Sequence, residues 1–526
     1  LLEDTPKRGF WDYGFISDLL RDFDFEEVDT LPKVANAVVV IPARSHGKSI
    51  NEINRELSKV GGVVLMLMGD EEGDFPVEEI KHKNIRIWVQ NPQMGRHDDY
   101  RKLGTGYTTQ LKDFKPKGID KTLRWMFAGQ VTHSRREECV EQLRDIDIPG
   151  YLLESEGFTQ GIEHIEYIKK MSQSKVCPCP SGPQTHDSFR LFEALELGCV
   201  PIADTQTSTE DWDGFWDWLF EEPVPFPTIS NWESLPGYIK DCLEVYPKLN
   251  NTIQSWWMRY KNKMWRALVS DIKDVGGTLG TQDITVIIPV SPIPSNPDTF
   301  IVDETITNVR YHLPKAEIIV TFDGVRAEQE DRVNDYREHI RRFMWKYSGD
   351  LNIIPYIYEE HMHQIGMARD IIDKINTPLI MYVEQDTPIV IDEPIDWGEV
   401  CGLILSGKSN LVRFHFEGVI PKDHKHLMIG KPEGGFLKTV QWSQRPHVAS
   451  TAFYKRILSE NFSDKSRCFI EDLMHGRVMV DWDRYGVQGW NQWKLHIYHP
   501  EGGNIKRSYH TDGRAGANKF DETQVF

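Results

Sequence analysis

The chain has 526 residues, and because a single core stops growing at about 250 to 300 residues, two large domains are the simplest expectation. Its composition, 40% hydrophobic and 27% charged with 16 Trp, 18 Tyr and 24 Phe, excludes a disordered chain. Acidic residues outnumber basic ones 80 to 61, and the formal charge of −19 disfavours a broad electrostatic grip on nucleic acid or an anionic membrane. No apolar run approaches the roughly 20 residues of a membrane span, and the opening LLEDTPKRGFWDY has neither a basic n-region nor an apolar h-region. The seven cysteines are odd in number and scattered through apolar stretches, so reduced thiols and a soluble, cytoplasmic protein are expected.

In chain order, VANAVVVIPA (34–43) opens a series of short apolar runs that read as buried parallel strands. GGVVLMLMGD, KNIRIWVQNP, KTLRWMFAGQ, IPGYLLES, SKVCPCPSG and GCVPIAD follow, with helix-like segments such as SRREECVEQLRDI and SFRLFEALELG between them. Such alternation predicts βαβ units, whose ligands bind beyond the carboxyl ends of the strands. Residues 231–272 predict a long helical close, and VGGTLGTQD (275–283) a linker. A fresh strand, ITVIIPVSP, comes next, then AEIIVTFDG, LNIIPYIYEE, TPLIMYVEQD and NLVRFHFEG, with a helix over 366–375. The predicted class is α/β, with a domain over 1–275 made of subdomains at about 1–115 and 116–275, and a second domain over 276–526.

Residues 174–204, SKVCPCPSGPQTHDSFRLFEALELGCVPIAD, carry the densest signal. A strand, a Pro/Gly/Ser loop with Gly182, a helix opening at Ser188 with Arg190 in its first turn, and a Gly turn into another strand make a natural diphosphate site. Glu193, one turn on, is placed to accept from ribose hydroxyls, although an Arg190–Glu193 ion pair on an ordinary helix fits the same pattern. Cys177 and Cys179 in a C-x-C read as strand packing in preference to a zinc site. The S-K-x-C-x-C-P-S-G loop and the S-x-R-L-F-E-A-L-x-x-G-C-V-P stretch resemble the donor-binding half of exostosin-type GT-B glycosyltransferases. That resemblance implies Arg190 on the donor phosphates and Glu193 on the ribose. FAGQVTHSRRE (127–137) resembles the first phosphate-facing loop of the same fold, with Arg135 or Arg136 on the diphosphate. A general base is then sought in PARSHGKS (42–49) and MGRHDDY (94–100), where His46, His97 and Asp98 are candidates.

In the second half, a strand followed by Glu384 and Asp386 puts two carboxylates on one side of an extended chain, suited to Mn2+ or Mg2+ bridging a nucleotide diphosphate. The order I-P-V, F-D-G, G-M-A-R-D and E-x-D is similar to family-two-like GT-A transferases, whose motif is D-x-D. The resemblance implies Asp323 on the base or ribose, Asp386 on the metal with Glu384 assisting, and Arg369 among the donor contacts. In CFIEDLMHG (468–476) it implies Asp472 as catalytic base with Glu471 as alternative, while a helix-capping role fits Asp472 equally. The tail HPEGGNIKRSYHTDGR (499–514) carries His499, His510, Lys506 and Arg507; His510 is the expected third metal ligand, Lys506 and Arg507 expected phosphate contacts, and the segment a lid.

Together the two resemblances imply a bifunctional glycosyltransferase, hexosyl- or pentosyl-, taking UDP- or GDP-sugars to a glycan acceptor with an inverting second site. Three alternatives stand beside it: one half as a glycan- or acceptor-binding module, glycosylation of a modified nucleic acid base, and a sugar nucleotidyltransferase in the second half. The last normally needs a Gly-rich loop bearing Lys or Arg after the first strand, and SPIPSNPDT has neither cation.

Overall fold

The computed structural model describes residues 13–511 apart from 22, 24–30, 32, 44–46, 114–119, 158–160, 210, 278–282, 416–419 and 501–504, and only the backbone of 112 and 113. It is an α/β protein in two compact units, Leu1–Gly280 and Thr281–Phe526.

Unit 1 contains two all-parallel sheets. The first runs β1 (Asn36–Pro42), β2 (Gly62–Met68), β3 (Ile85–Gln90), β4 (Arg101–Leu103) in spatial as in chain order. Val39 faces Leu65 and Leu65 faces Ile87 across the ladder, and every residue of β2 is buried, as both faces of a parallel sheet are covered. The second is built from β5 (Leu123–Gln130), β6 (Tyr151–Ser155), β7 (Ser174–Cys179), β8 (Val200–Asp204) and β9 (Thr228–Ile229), in the order β6-β5-β7-β8-β9. From β5 the chain goes first to one side, as β6, and then to the other, as β7. The carboxyl ends of β5 and β7 therefore flank a topological switch point, where the two connections diverge and leave a crevice.

The helical close of unit 1 is two helices, Leu235–Glu244 and Tyr246–Asp274, because Pro247 has no N–H to donate and sits in the first turn of the second. The long helix fastens to both sheets. Asp271 accepts from Trp88 Nε1 of β3 at 2.9 Å, while Asn250 and Gln254 donate to the Gly198 and Leu195 carbonyls at 2.8 and 2.9 Å. Cys177 and Cys179 are buried in β7, and all seven cysteines are free. No helix among the described residues is long and apolar enough to cross a membrane.

Unit 2 is a single nine-stranded sheet. β10 (Ile284–Val290), β11 (Glu317–Phe322), β12 (Ile353–Ile357) and β13 (Leu379–Tyr382) are mutually parallel, as the alternation of the sequence predicts. Beyond them come β14 (Leu411–Arg413), β15 (Met428–Glu433), β16 (Phe436–Thr439), β17 (His447–Ser450) and β18 (Leu495–Tyr498), in the overall order β12-β11-β10-β13-β17-β14-β18-β16-β15. β17 is antiparallel to both neighbours, so the sheet is mixed. β15 and β16 form a hairpin whose Gly434 and Gly435 have φ of +54° and +80°, the left-handed values a tight hairpin turn requires.

Residues 505–511, part of the expected lid, are fastened to the fold. Thr511 and Tyr509 donate backbone N–H bonds to Asp386 O at 2.7 Å and Pro388 O at 3.1 Å, and Ser508 bridges Ile389, so the segment is a strap fastened along 386–389. Residues 501–504 and 512–514 of the expected lid lie outside the described residues.

Candidate functional site

At the switch point of unit 1 lies a cavity of about 480 Å³, lined by the end of β5 (Ala128, Gly129, Gln130), by Ser155 and Tyr167, and by Arg136, Ser188, Arg190 and Glu193 among others. The helix Phe189–Glu196 begins at Ser188, whose extended backbone (φ −152°, ψ 158°) starts the helix while its hydroxyl makes no capping bond. Arg190 donates from Nη2 to Ala128 O at 2.8 Å and lies 4.3 Å from the Phe127 ring centre. The approach is close enough that a Cβ at Gly129, the penultimate residue of β5, would meet Arg190 Nη2 at 2.4 Å. Arg136 donates to Gln130 O at 3.2 Å. Arg136 and Arg190 are 9% and 8% exposed, their Nε atoms have no hydrogen-bond partner, and neither forms an ion pair with a described carboxylate. Burial, and then the Arg190 charge, pull the Arg136 guanidinium down to about 10. Two buried like charges, neither ion-paired with a described carboxylate, make a costly arrangement that a bound anion relieves.

Glu193 faces the same cavity, accepting from Thr108 Oγ1 and Tyr167 OH at 2.9 Å each, with His164 Nε2 at 3.7 Å. It is not paired with Arg190. Burial pushes the Tyr167 phenol well above its usual range, so it stays a donor to Glu193. Thr108, His164 and Tyr167 carry no motif and were not expected. Thr108 follows a loop in which Asp187 accepts from Thr105 N at 2.7 Å, so the end of the first sheet is tied to the start of the Arg190 helix.

Other expected residues serve the fold. Arg135 makes a two-pronged pair with the fully buried Asp204, Nη2 to Oδ1 at 2.6 Å and Nε to Oδ2 at 3.0 Å, and also reaches Glu138 and the Ser230 carbonyl. Neighbouring helix positions point about 100° apart, so Arg136 faces the cavity when Arg135 is so engaged. Gly182 closes a turn onto Thr185 O at 2.8 Å and is not part of the cavity wall. His97 is buried, accepts from Gln93 N at 2.9 Å and is held at about 4 by burial, then Arg96; Asp98 is an exposed acceptor for Gly95 N and Trp218 Nε1. Neither lines the cavity, and His46 lies outside the described residues.

Unit 2 gathers carboxylates. Glu384 and Asp386 follow β13; burial, then the Asp386 charge, raise Glu384 to about 7, with Glu471 adding to the repulsion. Gln364 donates to Glu384 from the helix His363–Ile372. The strap carries His510 to Asp386, Nε2 to Oδ2 at 3.7 Å. Among the described residues no three His, Cys, Asp or Glu side chains converge closely enough to hold a metal ion, so Glu384, Asp386 and His510 are neighbours and not a closed cage. Carboxylate and imidazole donors of this kind suit a hard divalent cation, which would offset the repulsion between Glu384 and Asp386.

Glu471 and Asp472 diverge at the start of the helix Ile470–Tyr485. Glu471 is half-buried and accepts from Gln444 N at 2.8 Å, whereas Asp472 is exposed and caps the helix by accepting from Phe469 N at 3.3 Å. Asp472 thus fills the capping role that its position also fits, and Glu471 is the less exposed of the two. Asp323, expected on the nucleotide, has both oxygens occupied by protein: Oδ1 by Met362 N and Gly324 N at 2.6 and 2.9 Å, Oδ2 by His363 N at 3.1 Å with His361 Nδ1 at 2.8 Å. These bonds hold His363 at φ +56°. Arg369 donates to Leu458 O and Asp464 Oδ1 at 2.7 Å each, and Arg507, 4% exposed, donates to Pro394 O at 2.7 Å, so both fasten the fold. Lys506 is half-buried on the strap, and His499 donates its N–H to Gly435 O at 2.7 Å.

Residues 154–275 match the model of the RXYLT1 C-terminal domain, a glycosyltransferase-related family; the matched span contains β7, the Arg190 helix and β8. No curated protein matches the chain. Among solved structures, TarS 1–349 of S. aureus aligns at 12% identity over 44% of this chain and 60% of its own, TM-score 0.27. The mannosyltransferase PcManGT of Pyrobaculum calidifontis, solved with GDP-Man and Mn2+, aligns at 10% identity over 49% of this chain and 69% of its own, TM-score 0.27. The chain thus spans about 60% of the length of the TarS fragment, and likeness at this level bears on neither fold nor activity.

Proposed function

We propose that the chain is a glycosyltransferase with two donor sites, residues 1–275 forming an exostosin-like GT-B part and 276–526 a GT-A part, which together move sugars from UDP- or GDP-sugars to a glycan. The observation that carries the reading is the pair of buried guanidiniums, Arg136 and Arg190, facing one cavity without a carboxylate partner. A diphosphate fits that deficit: it is anionic, planar forks bind it in pairs, and the Ser188 helix start adds N–H donors. Both cations also stabilise the charge that grows on the departing phosphate, so this site needs no imported ion. Glu193, held by Thr108 and Tyr167, retains lone pairs for a ribose hydroxyl.

In unit 2 the balance of charge is opposite, and Asp386 with His510 and Glu384 would hold Mn2+ or Mg2+. That ion supplies the positive charge for the leaving diphosphate, which the carboxylates cannot. Glu471 is the base: its carboxylate takes the proton of an acceptor hydroxyl as the oxygen attacks the anomeric carbon and the bond to phosphate breaks, inverting that centre. A second reading, with unit 2 as a glycan-binding module, is favoured by the engagement of Asp323 and Arg369 with protein partners. Nucleotide release that depends on Glu471 separates the two.

Titration calorimetry of the full chain with UDP and GDP in EDTA tests the carrying observation. Binding is expected for wild type and lost in Arg190→Ala; binding in EDTA that survives both Arg190→Ala and Arg136→Ala would remove the diphosphate from the cavity.

A further inference from the structure

We infer that the rim of the unit 2 site is a subsite for a neutral sugar acceptor, with the Phe469 ring as stacking platform and the side-chain amides of Gln444 and Gln364 as readers of its hydroxyls. The inference rests on the reading of unit 2 as a transferase.

Phe469 is 46% exposed, although Ile470 beside it is fully buried, and it stands two residues before Glu471 in the chain. Its ring meets His363 edge-to-face at 4.7 Å and 81°. His363 precedes Gln364, whose Nε2 holds Glu384. A bare aromatic face is therefore coupled through two consecutive residues to the carboxylate pair. Around it, polar capacity is unused. Gln444, 5% exposed, anchors Glu471 through its backbone N–H; its side-chain amide lies against the Tyr454 hydroxyl, and its Oε1 has no hydrogen-bond partner. Gln364 Oε1, in a residue 7% exposed, has no partner either.

Buried amides without partners are costly in a native fold and mark places where a ligand's polar groups belong. A sugar hydroxyl both donates and accepts, which suits an amide oxygen beside an amide NH2, and the C–H face of a pyranose packs on an aromatic ring. An acceptor carrying its own phosphate or carboxylate fits badly, because Glu384, Asp386 and Glu471 already crowd the site with negative charge.

The test is initial-rate kinetics on the full chain in an Arg190→Ala background, with Mn2+, a saturating sugar nucleotide, and methyl β-glycosides of glucose, galactose and xylose as acceptors. Phe469→Ala is expected to raise the acceptor KM about tenfold while the donor KM stays put, and Phe469→Trp to keep the acceptor KM near wild type. Gln444→Ala raises the acceptor KM as well. An acceptor KM unchanged by both Phe469→Ala and Gln444→Ala, or a donor KM that rises in step, overturns the subsite. Transfer to none of the glycosides, with Asp386-dependent nucleotide release intact, overturns the neutral-sugar assignment and leaves the transferase reading standing. Absence of any Asp386-dependent turnover sinks the transferase reading itself.

Discussion

The two candidate sites solve one electrostatic problem from opposite sides. In unit 1 the positive charge is built into the chain, as two buried guanidiniums with no carboxylate bonded to them; in unit 2 the chain supplies Glu384, Asp386 and Glu471, and on the proposed reading the positive charge arrives with a cation. A diphosphate leaving group needs that charge either way. Arginines held against β5 keep the first site ready at the expense of burying like charges, whereas repelling carboxylates make the second conditional on an ion and on pH.

The sharpest way to break the comparison is at the bases and cations. Glu471→Gln is expected to lower turnover at the unit 2 site by about 100- to 10,000-fold, the usual weight of a positioned base. Arg190→Ala should weaken nucleotide diphosphate binding in EDTA by about 100-fold, as loss of a charge-assisted contact does, with Arg136→Ala close behind; calorimetry reads both.

Which of Glu471 and Asp472 turns inward could not be read from the chain, because it is a matter of helix rotation. The two are adjacent at a helix start, and whether the first or the second turns inward depends on how Ile470 and Met474 pack into the core. Arg135 and Arg136 pose the same ambiguity. What was legible was contiguous: residues 174–204 contain a strand, a loop, a helix start and a strand, so one short stretch flagged Arg190 and its setting, while Arg136 comes from the separate stretch 127–137. Thr108, His164 and Tyr167 enter from separate elements by tertiary packing, without any local pattern to flag them. The parallel strands of both units were legible as apolar runs, as was β14 within NLVRFHFEG, while β17 and β18, four residues long each, are too short for a period to register. The Gly434–Gly435 hairpin did carry a readable turn signal that the alternation of the preceding strands obscured.

Arg135→Ala sharpens the division of labour between neighbouring arginines. It strands Asp204 in the core of unit 1, and a loss of about 3 to 5 kcal/mol in denaturant unfolding is expected. Arg136→Ala leaves that ion pair untouched and should lower stability far less.

The pH dependence separates the units further. Glu384 is raised to about 7 in the folded chain from 4.5, so between those values the native state binds more protons than the unfolded one, and stability of unit 2 falls as pH rises from about 4.5 to 7. Without divalent ion a melting curve of unit 2 should therefore drop across that window and flatten in Glu384→Gln. Added Mn2+ should protect most above pH 7. The smallest effect is at Asp472: Asp472→Asn removes a charge from a helix start but keeps a capping oxygen, so turnover should stay within about threefold of wild type and stability within about 1 kcal/mol.

The central claim, one site with built-in cations and one that borrows its cation, is tested most directly by nucleotide release from UDP- and GDP-sugars in Mn2+ and in EDTA, for wild type, Arg190→Ala and Asp386→Ala. Two separable activities are expected, EDTA removing the one that Asp386→Ala removes and sparing the one that Arg190→Ala removes. If EDTA abolished the Arg190-dependent activity as well, or if either substitution alone removed all turnover, the division of charge between the two sites would be contradicted.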